Sequence, residues 1–424
     1  MKKLKFFVSL ALAATMLLSV FTAFGCGSKN VLRVYNCYDY IDESLLGEFE
    51  KYYKEKTGEA IKVEYDNFDT PENAYNNVKM NVGYYDLVCP SDYMIEKMAK
   101  ENLLEEIVMP ENGNYNTYVS PYIKKTFSDI SWEGGKSLAN YAAGYMWGTL
   151  GLVYNTAKIS SEDMKSWSAL WNENFKKQFT IKDSVRDTYF VGLAKHYASE
   201  LEAAKTLTDA DAYRARLKEL FNDTSENTVK AVKDELLTLR KLASKLEVDD
   251  GKEDIIKGDS NNSNIYIYFA WSGDAVYAMD EAEKANVSLE YSVPEEGSNV
   301  WFDGWCVPKG SKQKAAAIEF IEFLSIPENA IKNMDYIGYV SVIAGKEVFE
   351  YVKENYAEES GELTVDLGYF FGDGEYTVKY SGKYGKFAAQ YPAEEVINRC
   401  VVMNYFSDAA NERINNMWAD VAVG

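Results

Sequence analysis

The stretch VLRVYNCYDYIDESLLGEFEKYYKEKTGEAIKVEY, residues 31–65, carries the pattern that decides the fold. Val31-Leu32-Arg33-Val34-Tyr35 alternates in polarity as a strand does, and an Asn-Cys-Tyr-Asp-Tyr turn follows. Leu45, Leu46, Phe49, Tyr52 and Tyr53 then recur at helical spacing, and Gly58 marks the stop. Ile61, Val63 and Tyr65 alternate as a second strand. Outward from there, a polar helix is expected over about 71–82, then a short apolar strand, Asp86-Leu87-Val88-Cys89, ended by Pro90. Met94, Ile95, Met98 and Ala99 share one face of the next helix. Strand–helix–strand–helix–strand predicts an open α/β sheet. Ligands collect beyond the carboxyl ends of such strands, which here are Asn36–Tyr40 and Ser91–Tyr93.

Further along, Gly134, Gly135, Gly144, Gly148 and Gly151 cluster with Tyr and Trp, where a crossing between domains is expected. A helix-rich stretch is expected over 162–247, with Val229, Val232, Leu236, Leu239 and Leu246 on one stripe. Asn264–Trp271 reads as a strand leading into a helix from about Asp274. A strand near 300–307 leads through Gly310 to a helix carrying Ile318, Ile321 and Leu324, stopped before Pro327.

Met1-Lys2-Lys3-Leu4-Lys5 is a basic start, and Phe6 to Phe24 follows without a charge. Gly25-Cys26-Gly27-Ser28 ends that run. A basic segment, an apolar segment and small residues at a cut site describe a secretory signal. The expectation is a lipoprotein signal over 1–25, with lipid on Cys26 tethering an exported protein to the outer face of the cell membrane or within the periplasm. A retained membrane anchor is the alternative reading, disfavoured because Ser, Thr and Ala dilute the run. The whole sequence has 424 residues, 47% hydrophobic and 26% charged, and a formal net charge of −21. Such a chain has room for two or three domains and repels nucleic acid. The single histidine, His196, argues against a His-rich zinc site or a Ser-His-Asp mechanism. Cys37, Cys89, Cys306 and Cys400 form no Cys-x-x-Cys pair and are expected as free, mostly buried thiols.

The informative residues are aromatics and acids at strand ends. Tyr38 and Tyr40 lie two apart, hence on one face of an extended segment. Ser91 and Tyr93 follow another strand. Trp301 with Asp303, and Trp271 with Asp274, pair an indole with a carboxylate. Asp183 and Asp187 lie four apart, on one face if helical. Each has an ordinary structural use as well: rings at strand ends pack, an Asp at a helix start caps it, and Arg186 pairs with a neighbouring acid. Taken together, aromatic walls with carboxylates at the ends suit an elongated organic cation. Ring faces attract ammonium charge at about 0.5–2 kcal/mol per contact, and carboxylates accept its charge-assisted hydrogen bonds.

Six segments in order resemble the spermidine/putrescine-binding family of bacterial ABC importers. They are VYNCYDYI (34–41), YDLVCPSDYMIEKM (85–98), DSVRDT (183–188), AWSGDA (270–275), VWFDGWCVPKGSKQKAAAIEFIEFL (300–324) and YIGYVS (336–341). The resemblance implies a two-lobed, periplasmic-binding-protein-like α/β fold of type II. Each lobe would be a mixed sheet flanked by helices, with a hinge between them. Residues 30–140 with 304–350 would form one lobe, and 141–303 with 351–424 the other. It implies ligand contacts at Tyr40, Ser91, Tyr93, Asp187, Trp271, Asp274, Trp301, Asp303 and Tyr339. Tyr38 and Asp183 join the candidates as neighbours of two departures from the family pattern. Cys37 stands where an aromatic is usual, and Ser184 where some members carry an acid. The resemblance further implies a polyamine as ligand, an ABC permease as partner, no cofactor, no metal and no catalysis, in a monomer. The same fold holding a sugar or another small cation is the nearest alternative. From other classes, a glycoside hydrolase would use two acids about 5–9.5 Å apart, and an adhesin would bind no solute.

Overall fold

The computed structural model describes residues 30–132, 134–248, 250–257 and 264–423. The expected signal and Cys26 lie outside the described residues. Eleven strands share one mixed sheet: β1 (Asn30–Cys37), β2 (Ile61–Phe68), β3 (Leu87–Val88), β4 (Ala142–Asn155), β5 (Phe179–Lys182), β6 (Lys245–Glu247), β7 (Ile267–Trp271), β8 (Leu289–Ser292), β9 (Ser298–Cys306), β10 (Val340–Ser341) and β11 (Cys400–Val401). The order across it is β2-β1-β3-β9-β4-β7-β5-β6, with β8 and β10 added to β4, and β11 to β9. β1 is parallel to β2 and β3, whereas β9 runs antiparallel to β3 and β4.

The glycine-rich crossing is one continuous strand. β4 is buried along its whole length, and its partners change midway. Residues 142–144 and 147–149 pair with β9, and Met146 and Trp147 with β10, while 150–154 pair with β7 and 152–155 with β8. Two hydrophobic cores form, and β4 contributes to both, Trp147 and Val153 to one and Leu150 and Leu152 to the other. One gathers Leu32, Phe49, Ile95, Trp147, Trp305 and Phe320. The other gathers Leu150, Trp167, Phe190, Leu236 and Ile414.

The helices begin and end where local chemistry dictates. Gly58 adopts φ 78° and closes the Ser44–Thr57 helix. Ser184 accepts from the Asp187 amide and starts the Val185–His196 helix. The Glu226–Leu242 helix buries Val229, Val232, Leu236, Leu239 and Leu242 on one stripe, each fully buried aliphatic side chain contributing roughly 1.5–3 kcal/mol. Leu246, expected on that stripe, lies instead in β6, because Ala243 turns to extended backbone and ends the helix. The 162–247 stretch is thus not wholly helical: β5 and β6 pair within it as parallel strands. Cys89, Cys306 and Cys400 are free, buried thiols, and Cys37 is half-buried.

Candidate functional site

β1, β3 and β9 bring three segments to one place. Along β9 the pattern around Phe302 leaves Trp301 and Asp303 partly exposed and buries Phe302 between them. The pairing with β4 shifts between Phe302 and Gly304, and Asp303 bridges to Ser91 instead. The bulge re-aims one carboxylate towards the N-terminal strands. Tyr40 Oη donates to Asp303 Oδ2 at 2.7 Å, and the Ser91 side chain also bonds the carboxylate.

Tyr40 is itself held in place. Its carbonyl accepts from Asn36 Nδ2 at 3.1 Å and from Tyr145 Oη at 2.6 Å, and Asn333 donates to Tyr145 Oη at 2.7 Å. Its ring meets Tyr339 edge-on at 5.7 Å, and Tyr339 meets Trp301 at 5.5 Å. Gly338, at φ 75°, ends the Pro327–Ile337 helix just before Tyr339.

Asp303 therefore sits between two hydroxyl donors at the end of a row of three rings, Tyr40, Tyr339 and Trp301. Burial pushes its carboxyl up to about 6, against the downward pull of the Tyr40 and Ser91 hydrogen bonds. Among the described residues, no lysine or arginine forms an ion pair with it. Burial, then the neighbouring Asp303 charge, raises the Tyr40 hydroxyl well above its ordinary value, so it stays a donor.

A second group gathers at the ends of β5 and β7. Asp187, in the first turn of its helix, bonds the Ser184 and Trp271 side chains. Burial raises its carboxyl, opposed first by the Lys182 charge and then by Ser184, Arg186 and Trp271. Asp274 lies 3.9 Å from Lys182 Nζ and 3.6 Å from Lys252 Nζ.

Arg186 joins the two groups. It does not form the expected ion pair. Its guanidinium lies 3.8 Å from the centre of the Tyr93 ring and 4.3 Å from that of Phe406, and donates to the carbonyls of Asn404 at 2.9 Å and Met403 at 3.3 Å. Tyr93 Oη donates to Glu72 at 2.9 Å. Arg186→Met keeps the length and removes these donors and the charge. It is expected to cost about 1–3 kcal/mol of stability, read by urea denaturation.

Two candidates are not brought to either group. Tyr38 is 60% exposed, because Asp39 at φ 51° breaks the extended path and sends Tyr38 and Tyr40 in different directions. Asp183 precedes the helix that Ser184 caps, so it does not share a helical face with Asp187. It is exposed, and its Oδ1 accepts from the Trp418 indole at 3.3 Å.

Other residues were missed. Asp92 accepts from the amides of Tyr93 at 2.6 Å and Phe302 at 3.1 Å, tying the Asp92–Lys100 helix to β9. Burial pushes its carboxyl up to about 7, with Arg186 pulling down and Asp303 pushing up. Its signal was an acid at the first position of a helix directly after an apolar strand. Gly148 and Gly273 were also missed, although each makes room for a site residue. A Cβ on Gly148 would lie 2.7 Å from the Trp301 ring, and one on Gly273 would lie 2.3 Å from the Tyr339 ring.

Residues 48–353 match the family model described as bacterial extracellular solute-binding protein. The spermidine/putrescine-binding periplasmic protein of Escherichia coli is 26% identical over 329 residues, 77% of this chain and 82% of that protein. The putrescine-binding periplasmic protein SpuD of Pseudomonas aeruginosa is 28% identical over 346 residues, 79% of this chain and 84% of that one. Among solved structures, the spermidine/putrescine ABC transporter substrate-binding protein of Streptococcus pneumoniae superposes with a TM-score of 0.63 at 25% identity, covering 93% of this chain and 99% of that one. The architecture these share with the mixed sheet and paired cores described above is the two-lobed binding-protein fold.

Proposed function

Because this chain belongs to the bacterial extracellular solute-binding proteins, we propose that it captures a polyamine between two lobes and delivers it to an ABC permease. The observation that carries this reading is Asp303: a carboxylate that no lysine or arginine among the described residues pairs with, bonded to Tyr40, whose ring begins a row with Tyr339 and Trp301. A primary ammonium suits that position, since it donates to the carboxylate while its methylenes lie on the rings. A sugar would leave the charge unpaired. The relatives named above, which bind spermidine or putrescine by name, support the same ligand class.

In this reading residues 30–140 with 304–350 form one lobe and 141–303 with 351–424 the other, and β4 and β9 carry the hinge. Tyr40, Ser91, Tyr93 and Tyr339 approach from the first lobe, Asp187, Trp271 and Asp274 from the second, with Trp301 and Asp303 on the connecting strand. Lipid on Cys26 holds the monomer at the membrane surface. The protein binds and releases its solute without transforming it.

The test is a melting curve of a soluble form beginning at Gly27, with putrescine, spermidine, spermine and a panel of sugars. An amine at 1,000 times its Kd is expected to stabilise the fold by about 4 kcal/mol, and sugars by nothing measurable. Stabilisation by a sugar and by no amine would overturn the reading.

Acid should weaken binding. The ammonium stays charged throughout, so only the carboxylate changes, and Asp303 in the unliganded protein takes its proton near pH 6. Below that pH the ligand must displace a proton, and affinity is expected to fall by up to about tenfold per pH unit. Calorimetric titrations between pH 8 and pH 5 check this.

A further inference from the structure

Lys182, the last residue of β5, is fully buried, at 0% exposure. Its ammonium lies 3.7 Å from the Trp271 ring centre and 5.5 Å from that of Tyr268. It also lies 3.9 Å from Asp274 Oδ2 and donates to the Val248 carbonyl at 3.0 Å. Its charge acts on Asp187 as well. An indole face, a phenol ring and two carboxylates are the surroundings an amine ligand would seek, and the chain has placed its own amine there. Lys252, 3.6 Å from Asp274, adds a second positive charge, and Arg186 a third beside Asp187. Asp274 thus already has two ammonium partners, whereas no lysine or arginine among the described residues pairs with Asp303.

We propose that Lys182 is a specificity-determining residue: its ammonium occupies the far amine position of the cleft, so the site takes a short mono- or diamine in preference to a triamine or tetramine. This rests on the polyamine reading above. A short amine anchors one ammonium on Asp303 and ends before Lys182. A longer one must bring a further positive charge towards Lys182 and Lys252, and such like-charge juxtaposition lowers affinity.

The experiment is calorimetric titration of the soluble form and of Lys182→Gln with putrescine and spermidine, with folding followed by melting curves. The side-chain amide keeps a donor for Val248, and Lys252 still faces Asp274. The wild type is expected to prefer putrescine by about tenfold or more, and the variant to shift the spermidine-to-putrescine affinity ratio towards spermidine by a similar factor. Lys182→Arg, which keeps the charge, is expected to keep the putrescine preference. A purely structural lysine would weaken both ligands together and leave the ratio unchanged in the Gln variant. That outcome, or a wild-type preference for spermidine, overturns the proposal while leaving the polyamine reading intact. The wild-type ranking decides the matter even if the Gln variant does not fold. Absence of binding to every amine overturns both.

Discussion

Asp303→Asn is expected to lower affinity for a polyamine by about 100-fold or more, since truncating one partner of a desolvated charge pair costs roughly 2–5 kcal/mol. The amide keeps the size of the side chain and an acceptor for Tyr40 Oη, which donates to Asp303 Oδ2 at 2.7 Å. The loss therefore reads the charge. The same change should stabilise the unliganded protein. The folded-state carboxyl takes its proton near pH 6, above the ordinary value of 3.8, so the folded state binds that proton more tightly than the unfolded chain does. This contribution to stability is greatest below pH 3.8 and declines as pH rises to about 6. Above that, the ionised group is a standing cost on the order of 1–3 kcal/mol, which asparagine removes. Higher melting with lost binding at pH 8 is the signature of a carboxylate kept for a cation. A variant that melts lower and binds normally would mark Asp303 as part of the scaffold.

Gly273→Ala is expected to weaken binding by about 5–150-fold, the factor that overpacking by roughly 1–3 kcal/mol implies. Gly273 is the second residue of the Ser272–Lys284 helix and is not among the positive-φ glycines, so alanine fits its backbone. Alanine is also the better helix former, by about 1 kcal/mol. What it does not fit is Tyr339, whose ring atoms lie 2.3–2.5 Å from the added Cβ. The clash falls between elements assigned to opposite lobes. It should penalise the closed, ligand-holding arrangement and spare the open one. Affinity measured by calorimetry should drop while melting without ligand stays level or rises. Unchanged affinity would mean that Tyr339 does not close on Gly273 when ligand binds.

The strands and helices around the site were legible because one face of each meets a core. Leu32 and Val34, Ile61 and Val63, and the stripe of Val229, Val232, Leu236 and Leu239 follow their expected periods. The Trp301–Asp303 pair was legible for the same reason, two residues apart on a strand. Tyr38 and Asp183 misled because strand or helix geometry was extended by one residue too many. Asp39 in the left-handed region ended one element, and the Ser184 cap started the other. Lys182 was invisible because a lysine ending a short apolar strand reads as a solvated terminus; only the tertiary meeting of β5, β7 and the Ser272–Lys284 helix buries it. The part played by the RCVVMNYF segment, residues 399–406, does not show in its side chains either. Its backbone contacts explain why: carbonyls of Met403 and Asn404 receive Arg186, and the Tyr405 amide donates to Glu96 at 3.0 Å. Recognition through backbone leaves little mark on side-chain identity.

The most direct measurement is proton release on binding. Putrescine would be titrated calorimetrically into the wild type at pH 6 and pH 8, in pairs of buffers that differ in ionisation enthalpy. If the ligand's ammonium sits on Asp303, whose proton leaves near pH 6, binding should release about half a proton at pH 6 and almost none at pH 8. Asp92, raised to about 7, is bonded to two backbone amides rather than facing the rings, so Asp303→Asn should abolish the release at pH 6. Saturable binding with equal heats in all buffers at both pH values would contradict the account, because the amine would then be held somewhere other than Asp303.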